Sequence, residues 1–397
     1  MTSPVQARTP RLSAVLREEE RVTPLELFFD LVFVLAITQC TALMAARPTW
    51  EGIARGLVVL GLLWWSWGGY AWLTSVVNPE EGAVRIVMFA AMTGFLVVAL
   101  CVPGAFGDEA VLLVGAYAVV RAAHILLFGL ASRDDAGLRR SVVGLGTSSA
   151  VGVGLLIAGA FADDDLQLAT WAVALLLDMA GPYFYGVEGW RLVPSHFAER
   201  HGLIVIIAIG ESIVAIGAGA TGDVDAGVVA AAALGMVVAA ALWWLYFDVV
   251  ALVAERRLSS ATPGREQNSM ARDSYSYLHF PLVAGIVLVA LGMKKTLGDV
   301  DHHLKLVPAA ALLGGTAAYL LAHVAFRLRN VHTLNRQRLA CAVLVVALVP
   351  AAVRLPSLAT LAILAAVLGG LIVFEALRFS EARDRIRHQL QRESGAG

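Results

Sequence analysis

Residues 24–45, PLELFFDLVFVLAITQCTALMA, form an almost entirely apolar run of the length that crosses a lipid bilayer as a helix. A spanning helix needs about 20 such residues because the hydrocarbon core is roughly 30 Å thick. Hydrophobic residues make up 58% of the 397 residues and charged residues 15%, whereas soluble domains are about 45–50% apolar and about 25% charged. The sequence therefore predicts an integral membrane protein whose main partner is the bilayer.

Eleven further apolar runs follow the first. Because unbroken runs of this length are typical of helices and not of barrel strands, the predicted fold class is all-α and polytopic, with about twelve transmembrane helices. The first run is too long, and begins too late, to be a cleaved signal peptide, so we expect it to be retained. The predicted spans are 24–45, 54–76, 84–103, 110–131, 140–161, 166–187, 198–220, 226–252, 275–297, 304–327, 336–354 and 357–379.

The distribution of basic residues predicts the orientation of these helices. Most of the 30 Lys and Arg residues fall in the N-terminal arm, in the loops after the even-numbered spans, or in the C-terminal tail. Basic loops stay on the cytoplasmic side, so both termini are expected to be cytoplasmic.

Matched motifs indicate an internal duplication. Trp64-Trp65 recurs as Trp243-Trp244, and the segment 121–124 resembles 321–323, each time at the same helix position within its half. Units of six helices share one orientation, as in transporters built from parallel repeats. The alternative is a chance likeness between helices rich in Leu, Ala and Val. The predicted domains are a cytoplasmic arm at 1–21, six-helix repeats at 22–190 and 191–379, and a basic cytoplasmic tail at 380–397.

Two carboxyl groups lie inside apolar runs. Asp30 is in the first span, and Glu211 is 12 residues past Glu199, about 18 Å along a helix and near mid-bilayer. A carboxylate at this depth costs a few kcal/mol, so it faces a partner or a hydrated cavity and marks an ion or substrate pathway. For Asp30 the alternative is a structural hydrogen bond, such as one to Arg121 or to a Trp N–H group.

Other polar residues within spans extend this predicted pathway. Ser212 follows Glu211, and Gly210 beside it leaves room for a helix or ligand to approach closely. Arg121 is expected to pair with Asp30 or Glu211; the histidines could titrate near neutral pH or simply be hydrogen-bonded. The predicted substrate or ion pathway comprises Asp30, Glu211, Ser212, Arg121, His124, Asp178, Gln39 and His323.

A second predicted group lies at the cytoplasmic ends of two spans. Glu26 follows Thr23 and Pro24 in the pattern of a helix capping box, so it could serve only to begin the first helix. His196, Glu199 and Arg200 open the seventh span. These residues, together with Glu26, are predicted to form an interfacial cluster of charged and polar side chains.

Several kinds of site are not indicated. The three cysteines at 40, 101 and 341 have no paired spacing, so neither a disulfide framework nor a metal site is expected. The segment 217–222 fits the glycine pattern of dinucleotide sites, but it ends a membrane helix instead of following a strand. No cofactor and no nucleic-acid partner are predicted, and no catalytic residue is assigned.

The runs 23–39 and 196–213 resemble the signature of the bacterial low temperature requirement protein A (LtrA) family. The resemblance implies a multi-pass protein of a bacterial inner membrane, but little about chemistry, because the family name records a growth phenotype. The positions that the resemblance carries over are Glu26, Asp30, Gln39, His196, Glu199, Arg200, Gly210, Glu211 and Ser212.

The excess of acidic over basic side chains within the spans favours a transporter or channel. It would move protons, cations or a cation-coupled solute through an acid-lined cavity between two six-helix halves. One alternative is an intramembrane enzyme that acts on a lipid or isoprenoid, with Glu211, His124 and Asp30 as acid and base. Another is a stress-linked or scaffolding membrane protein without transport. The sequence names neither the substrate nor the oligomeric state.

Overall fold

The computed structural model describes residues 21–80, 82–186, 189–220 and 223–378. The predicted N-terminal arm, apart from Arg21, and the predicted basic tail lie outside these ranges. Within them the regular structure is helical, with a 3₁₀ turn at Val102–Gly104 and a π-helical segment at Ala271–Tyr277. The α-helices are α1 Pro24–Ala46, α2 Trp50–Val76, α3 Gly82–Cys101, α4 Ala110–Ala131, α5 Ala136–Gly159, α6 Asp164–Phe184, α7 Pro194–Gly219, α8 Ala226–Phe247, α9 Val250–Ser260, α10 Arg265–Met270, α11 His279–Gly298, α12 Leu306–Val331, α13 Arg336–Ala347, α14 Val349–Ala352 and α15 Ser357–Arg378.

The helices confirm an all-α, polytopic membrane protein. In the described ranges, ten helical segments are long and apolar enough to span a membrane. Each of the twelve predicted spans coincides with helix, but α6 and the pair α13–α14 are not among the ten. Pro350, near the start of α14, separates α13 from α14, because proline lacks the N–H group that continues a helix. The count of twelve crossings stays a prediction.

Side-chain caps fix where several helices begin. At α1 the backbone N–H of Thr23 donates to Glu26 Oε2 over 2.9 Å, which confirms the predicted capping box. Asp135 accepts two backbone N–H groups at the start of α5. Asp225 and Asn335 each accept one, at the starts of α8 and α13. These acceptors satisfy backbone donors that a helix start otherwise leaves unpaired.

The chain divides into two compact units of interleaved segments. The first contains the described residues up to Phe33, Leu62–Phe197 and Thr262–Asn268. The second contains Val34–Gly61, Ala198–Ala261 and the described residues from Ser269 onward. Three helices, α1, α7 and α10, therefore contribute their N-terminal parts to the first unit and their remainders to the second.

The motifs that suggested a duplication occupy different environments. Trp64 and Trp65 are 4% and 7% exposed, whereas Trp243 and Trp244 are 44% and 40% exposed. Equivalent positions of two repeats would be expected to pack alike, and this pair does not. The duplication into 22–190 and 191–379 stays a prediction.

Aromatic rings form part of the core of the first unit. The ring centroids of Phe29 and Tyr70 are 5.1 Å apart, and those of Phe33 and Phe95 are 4.7 Å apart. Phe29 and Phe95 meet edge to face, an arrangement that aromatic quadrupoles favour. This packing surrounds the part of α1 that carries Asp30.

In the second unit α11 and α12 pack backbone against backbone. A Cβ atom added to Gly285 would lie 2.7 Å from the carbonyl oxygen of Gly315, and one added to Gly315 would lie 2.7 Å from that of Gly285. Small residues at a helix interface allow this close approach in membranes, where helix association depends on van der Waals packing.

Candidate functional site

Glu211, in the middle of α7, is a buried acid bound to a hydroxyl group. It is 2% exposed, and Thr38 of α1 donates to its Oε2 over 2.5 Å. The Thr38 hydroxyl also lies 2.9 Å from the Val34 carbonyl, but its single proton can serve only one acceptor at a time. Among the described residues, no Lys, Arg or His forms an ion pair with Glu211, although the field of Lys294 reaches it. Its negative charge is therefore not balanced by a contacting protein cation.

The residues predicted around Glu211 differ in their surroundings. Ser212 is fully buried, and its hydroxyl has no hydrogen-bond partner among the described residues. Gln39 is half-buried on α1, next to Thr38. A Cβ atom added to Gly210 would meet no heavy atom within 4 Å in the described ranges. No other helix approaches Gly210 closely in the described ranges, and the alternative, the approach of a ligand, stays a prediction.

Asp30 makes a hydrogen bond between helices of the first unit. Trp67 of α2 donates its indole N–H to Asp30 Oδ1 over 2.8 Å, and Asp30 is 1% exposed. The bond to a Trp N–H group that was raised as the alternative for Asp30 is therefore present, and its pathway role stays a prediction. A buried polar group keeps such a partner because an unpaired one is costly.

A chain of hydrogen bonds joins α1, α2 and the start of α7. His196 Nε2 lies 2.9 Å from Glu26 Oε1, and His196 Nδ1 lies 3.1 Å from Ser75 Oγ. A carboxylate only accepts, so His196 Nε2 carries a proton and donates it to Glu26. The Ser75 hydroxyl also lies 3.0 Å from the Ala71 carbonyl oxygen, which accepts its proton. All three side chains are 2% exposed or less, so Ser75 is not an accessible nucleophile. Glu26 thus both caps α1 and holds His196.

Arg121 and Asp178 form a buried ion pair between α4 and α6. Arg121 Nη2 lies 2.9 Å from Asp178 Oδ2, and the two residues are 2% and 5% exposed. Ser149 of α5 donates to Asp178 Oδ1 over 2.9 Å and also accepts from Arg121. The expectation that Arg121 pairs with Asp30 or Glu211 is wrong, because its carboxylate partner is Asp178.

His124 lies one helical turn after Arg121 on α4 and is fully buried. Its ring centroid is 5.2 Å from that of Tyr70. A Cβ atom added to Gly69 would lie 2.9 Å from His124 Nε2 and 3.2 Å from Arg121 Nη1. Glycine at position 69 therefore allows α2 to pass close to the side chains of both Arg121 and His124.

His323 belongs to a polar group of the second unit that the sequence did not predict. Arg338 of α13 donates to both carboxylate oxygens of Glu375, over 3.0 and 2.9 Å. The same guanidinium contacts His323 Nδ1 through Nη1. His323 is 2% and Arg338 is 6% exposed. Arg338 escaped prediction because it lies in the first turn of an apolar span, where a basic residue usually extends to the interface.

The predicted interfacial cluster is divided between the two units. Glu26 and His196 are in contact in the first unit. Glu199 and Arg200 belong to the second unit, where Glu199 is exposed and Arg200 is fully buried.

A polar loop joins α11 to α12. His302 Nδ1 lies 2.8 Å from Asp299 Oδ1, and both residues are exposed. This hydrogen bond raises the pKa of His302 above its ordinary value and lowers the pKa of Asp299. Backbone bonds from Ser357 and Leu358 to His302 and Val300 tie the same loop to the start of α15.

Comparisons with known proteins identify the family. The family model described as "Bacterial low temperature requirement A protein (LtrA)" matches residues 21–373. An uncharacterized protein of Rhizobium meliloti (strain 1021) is 28% identical over 311 residues, which cover 74% of this chain and 74% of that protein. No solved structure matches the chain. The family match extends from the residues just before α1 into α15. The chain therefore belongs to the bacterial low temperature requirement A family.

Proposed function

We propose that this protein is a proton or cation transporter of a bacterial inner membrane, with both termini in the cytoplasm, and that Glu211 binds the transported ion. One observation carries the proposal: Glu211 lies within a spanning helix, is 2% exposed, and has a hydroxyl group as its nearest partner instead of a cation. An ionisable residue inside a spanning segment is a functional-site candidate by default.

Two other acids within the spans supply the contrast. Asp178 is paired with Arg121, and Glu375 is paired with Arg338. Each of these carboxylates has its charge offset by a guanidinium, so neither needs an ion from solution. An ionised Glu211 has no such partner, and an isolated charge in a low-dielectric environment is very costly. A bound proton or a bound cation offsets that charge.

The groups around Glu211 suit a small hard ion. Thr38 donates to the Glu211 carboxyl, and Thr41, one turn later on α1, carries a second hydroxyl group that donates to the Ile37 carbonyl. Two carboxylate oxygens and two hydroxyl oxygens are the ligand type that hard cations prefer. The same oxygens can hold a carboxyl proton in a hydrogen bond. Release of the ion then requires only that water reach Glu211 from one side.

The experiment measures ion flux in proteoliposomes that contain the full-length protein. A proton, sodium or potassium gradient is imposed, and internal pH or ion concentration is followed with trapped fluorescent dyes. We expect Glu211→Gln to reduce the flux by at least about tenfold, because the amide cannot exchange a proton or carry a charge. Glu266→Gln is the matched control, because Glu266 is an exposed residue outside the site.

Two results would contradict the proposal. The first is that the wild-type protein moves none of these three ions in either direction. The second is that it moves one of them and that Glu211→Gln moves it equally fast. A loss of flux in Glu266→Gln as well would show that the assay responds to general damage and not to the Glu211 carboxyl.

A further inference from the structure

The second unit contains a cavity that the proposed function does not use. Its volume is about 330 Å³, and residues of α8, α9, α12, α13 and α15 line it. On the side of α8 and α9 the wall is mainly apolar, with Leu245, Val250 and Val253. Polar side chains lie on the side of α12, α13 and α15. Cavities of this size and mixed lining are typical small-molecule sites.

His323 supplies a hydrogen-bond donor to this wall. Arg338 donates to His323 Nδ1, and a neutral imidazole that accepts at Nδ1 carries its proton on Nε2. The Nε2 atom is buried and has no hydrogen-bond partner among the described residues, and His323 lines the cavity. The His323 Nε2–H group is therefore a buried donor, in a residue of the cavity wall, that has no acceptor among the described residues.

Asn330 supplies a second donor to the same wall. Its Oδ1 accepts a hydrogen bond from Ser274 Oγ over 2.7 Å. Its Nδ2 is buried and has no partner among the described residues. Asn330 lies seven residues after His323, which is two turns along the same face of α12. Both open positions on this wall are N–H donors, so the matching ligand atoms are acceptor oxygens.

The charges around the cavity favour a neutral ligand. Arg338 is held by both carboxylate oxygens of Glu375. The remaining charged residues of the lining are Asp248 and Arg327, so acidic and basic side chains are equal in number. Arg327 is exposed and donates to the Thr333 hydroxyl, whereas Arg338, the buried cation of the lining, is already paired with a carboxylate. A carbonyl oxygen accepts hydrogen bonds without bringing a charge.

We propose that this cavity binds a small, neutral, membrane-soluble molecule that bears a carbonyl oxygen. The oxygen accepts a hydrogen bond from His323 Nε2–H, and the apolar body of the ligand contacts Leu245, Val250 and Val253. Asn330 offers a donor to a second oxygen. The cavity shares no residue with the Glu211 site, so ligand binding here can be tested independently of the proposed transport.

The test uses the full-length protein in lipid nanodiscs and menadione, a neutral naphthoquinone, as the probe. Binding is followed by quenching of tryptophan fluorescence, since Trp244 lines the cavity, with empty nanodiscs correcting for partition into lipid. Naphthoate, a carboxylate of similar shape, tests the preference for a neutral ligand. We expect saturable binding of menadione and at least about tenfold weaker binding of naphthoate.

Two variants locate the site. His323→Phe removes the donor and keeps the ring, and we expect it to weaken menadione binding by about tenfold. Ala254→Phe fills part of the cavity and replaces none of the polar residues of its wall, so it provides a second test if His323→Phe folds poorly. His303→Phe, in the exposed loop, is the matched control and should bind as the wild type does.

The outcomes separate this proposal from the proposed transport function. Glu211→Gln should bind menadione as the wild type does, even though its ion flux is reduced. Wild-type binding no greater than partition into empty nanodiscs would overturn the proposal. So would binding that Ala254→Phe leaves unchanged, or binding of naphthoate that equals or exceeds that of menadione.

Discussion

At the scale of single residues, the acids within the spans differ in the groups that contact them. Asp178 and Glu375 have guanidinium partners, and Asp30 has an indole N–H. Glu211 has a hydroxyl group. Removing one member of a buried ion pair leaves the other charged and unpaired, which costs far more than the pair itself contributes. In the proposed function, the paired acids Asp178 and Glu375 are structural, and Glu211 is the acid that would exchange its ion.

The Arg121–Asp178 pair should behave as a structural pair. We expect Arg121→Leu to lower the stability of the protein by about 3–5 kcal/mol, because Asp178 is left buried and uncompensated. The double variant Arg121→Leu with Asp178→Leu should recover most of that loss. Unfolding in mixed detergent micelles measures both changes.

The control for this pair is an exposed pair on the same unit. Arg191 lies 3.8 Å from Asp135, and the Arg191 side chain is 67% exposed. Arg191→Leu should change stability by less than about 1 kcal/mol. If the double variant at Arg121 and Asp178 is no more stable than Arg121→Leu, the unpaired Asp178 charge does not cause the loss of stability.

The loop between α11 and α12 supports a prediction about pH. Because Asp299 holds the proton of His302, the pKa of His302 is raised in the folded protein. The contribution of this pair to stability is therefore complete below the ordinary pKa of histidine, and it is lost as the pH rises through the raised value. Asp299→Asn should bring the His302 pKa back toward its ordinary value, as measured by NMR titration of labelled histidine rings. An unchanged pKa in this variant would exclude Asp299 as the cause.

At the scale of helices, the sequence predicted where helices lie much better than which side chains meet. Apolar runs near 20 residues depend only on local composition, so every predicted span coincides with helix. Pairing depends on which faces of different helices pack together, and periodicity does not reveal that. Arg121 was therefore assigned the wrong carboxylate, although the capping box at Thr23 and Glu26, a local pattern, was right. Arg338 and Ser75 were missed because neither stands out within its own segment.

The contact between α11 and α12 supports a prediction at this scale. Gly285→Ala should lower stability by about 1–3 kcal/mol, because its methyl group would lie 2.7 Å from the Gly315 carbonyl oxygen and force the helices apart. Gly314→Ala, on the neighbouring helix, is the control: an added Cβ there meets nothing within 4 Å. Alanine favours helix over glycine, so Gly314→Ala should be neutral or slightly stabilising. Equal losses in both variants would argue against backbone contact at Gly285.

At the scale of the whole molecule, the chain is a multi-pass membrane protein of the low temperature requirement A family whose helices form two compact units. The family description contains no activity, so the function must come from the chemistry of the buried groups. The duplication, the orientation and the transported ion are inferences from pattern and charge. Each needs a test on the intact protein.

The proposed orientation can be tested by labelling cysteines. The three native cysteines are buried, so introduced ones dominate the signal. A cysteine at the exposed position Asp163 should react with a membrane-impermeant maleimide in intact cells. A cysteine at Glu266 should react only after the membrane is permeabilised, because basic loops stay cytoplasmic. The reverse pattern would place both termini outside.

The direct test of whether Glu211 binds the transported ion is a comparison of ion flux through proteoliposomes that contain the wild-type protein or Glu211→Gln. We predict that the wild-type protein dissipates an imposed gradient of protons, sodium or potassium. Glu211→Gln should do so at least about tenfold more slowly, and Glu266→Gln should match the wild type. Identical rates for the wild type and Glu211→Gln, or no flux of any of the three ions through the wild type, would contradict it.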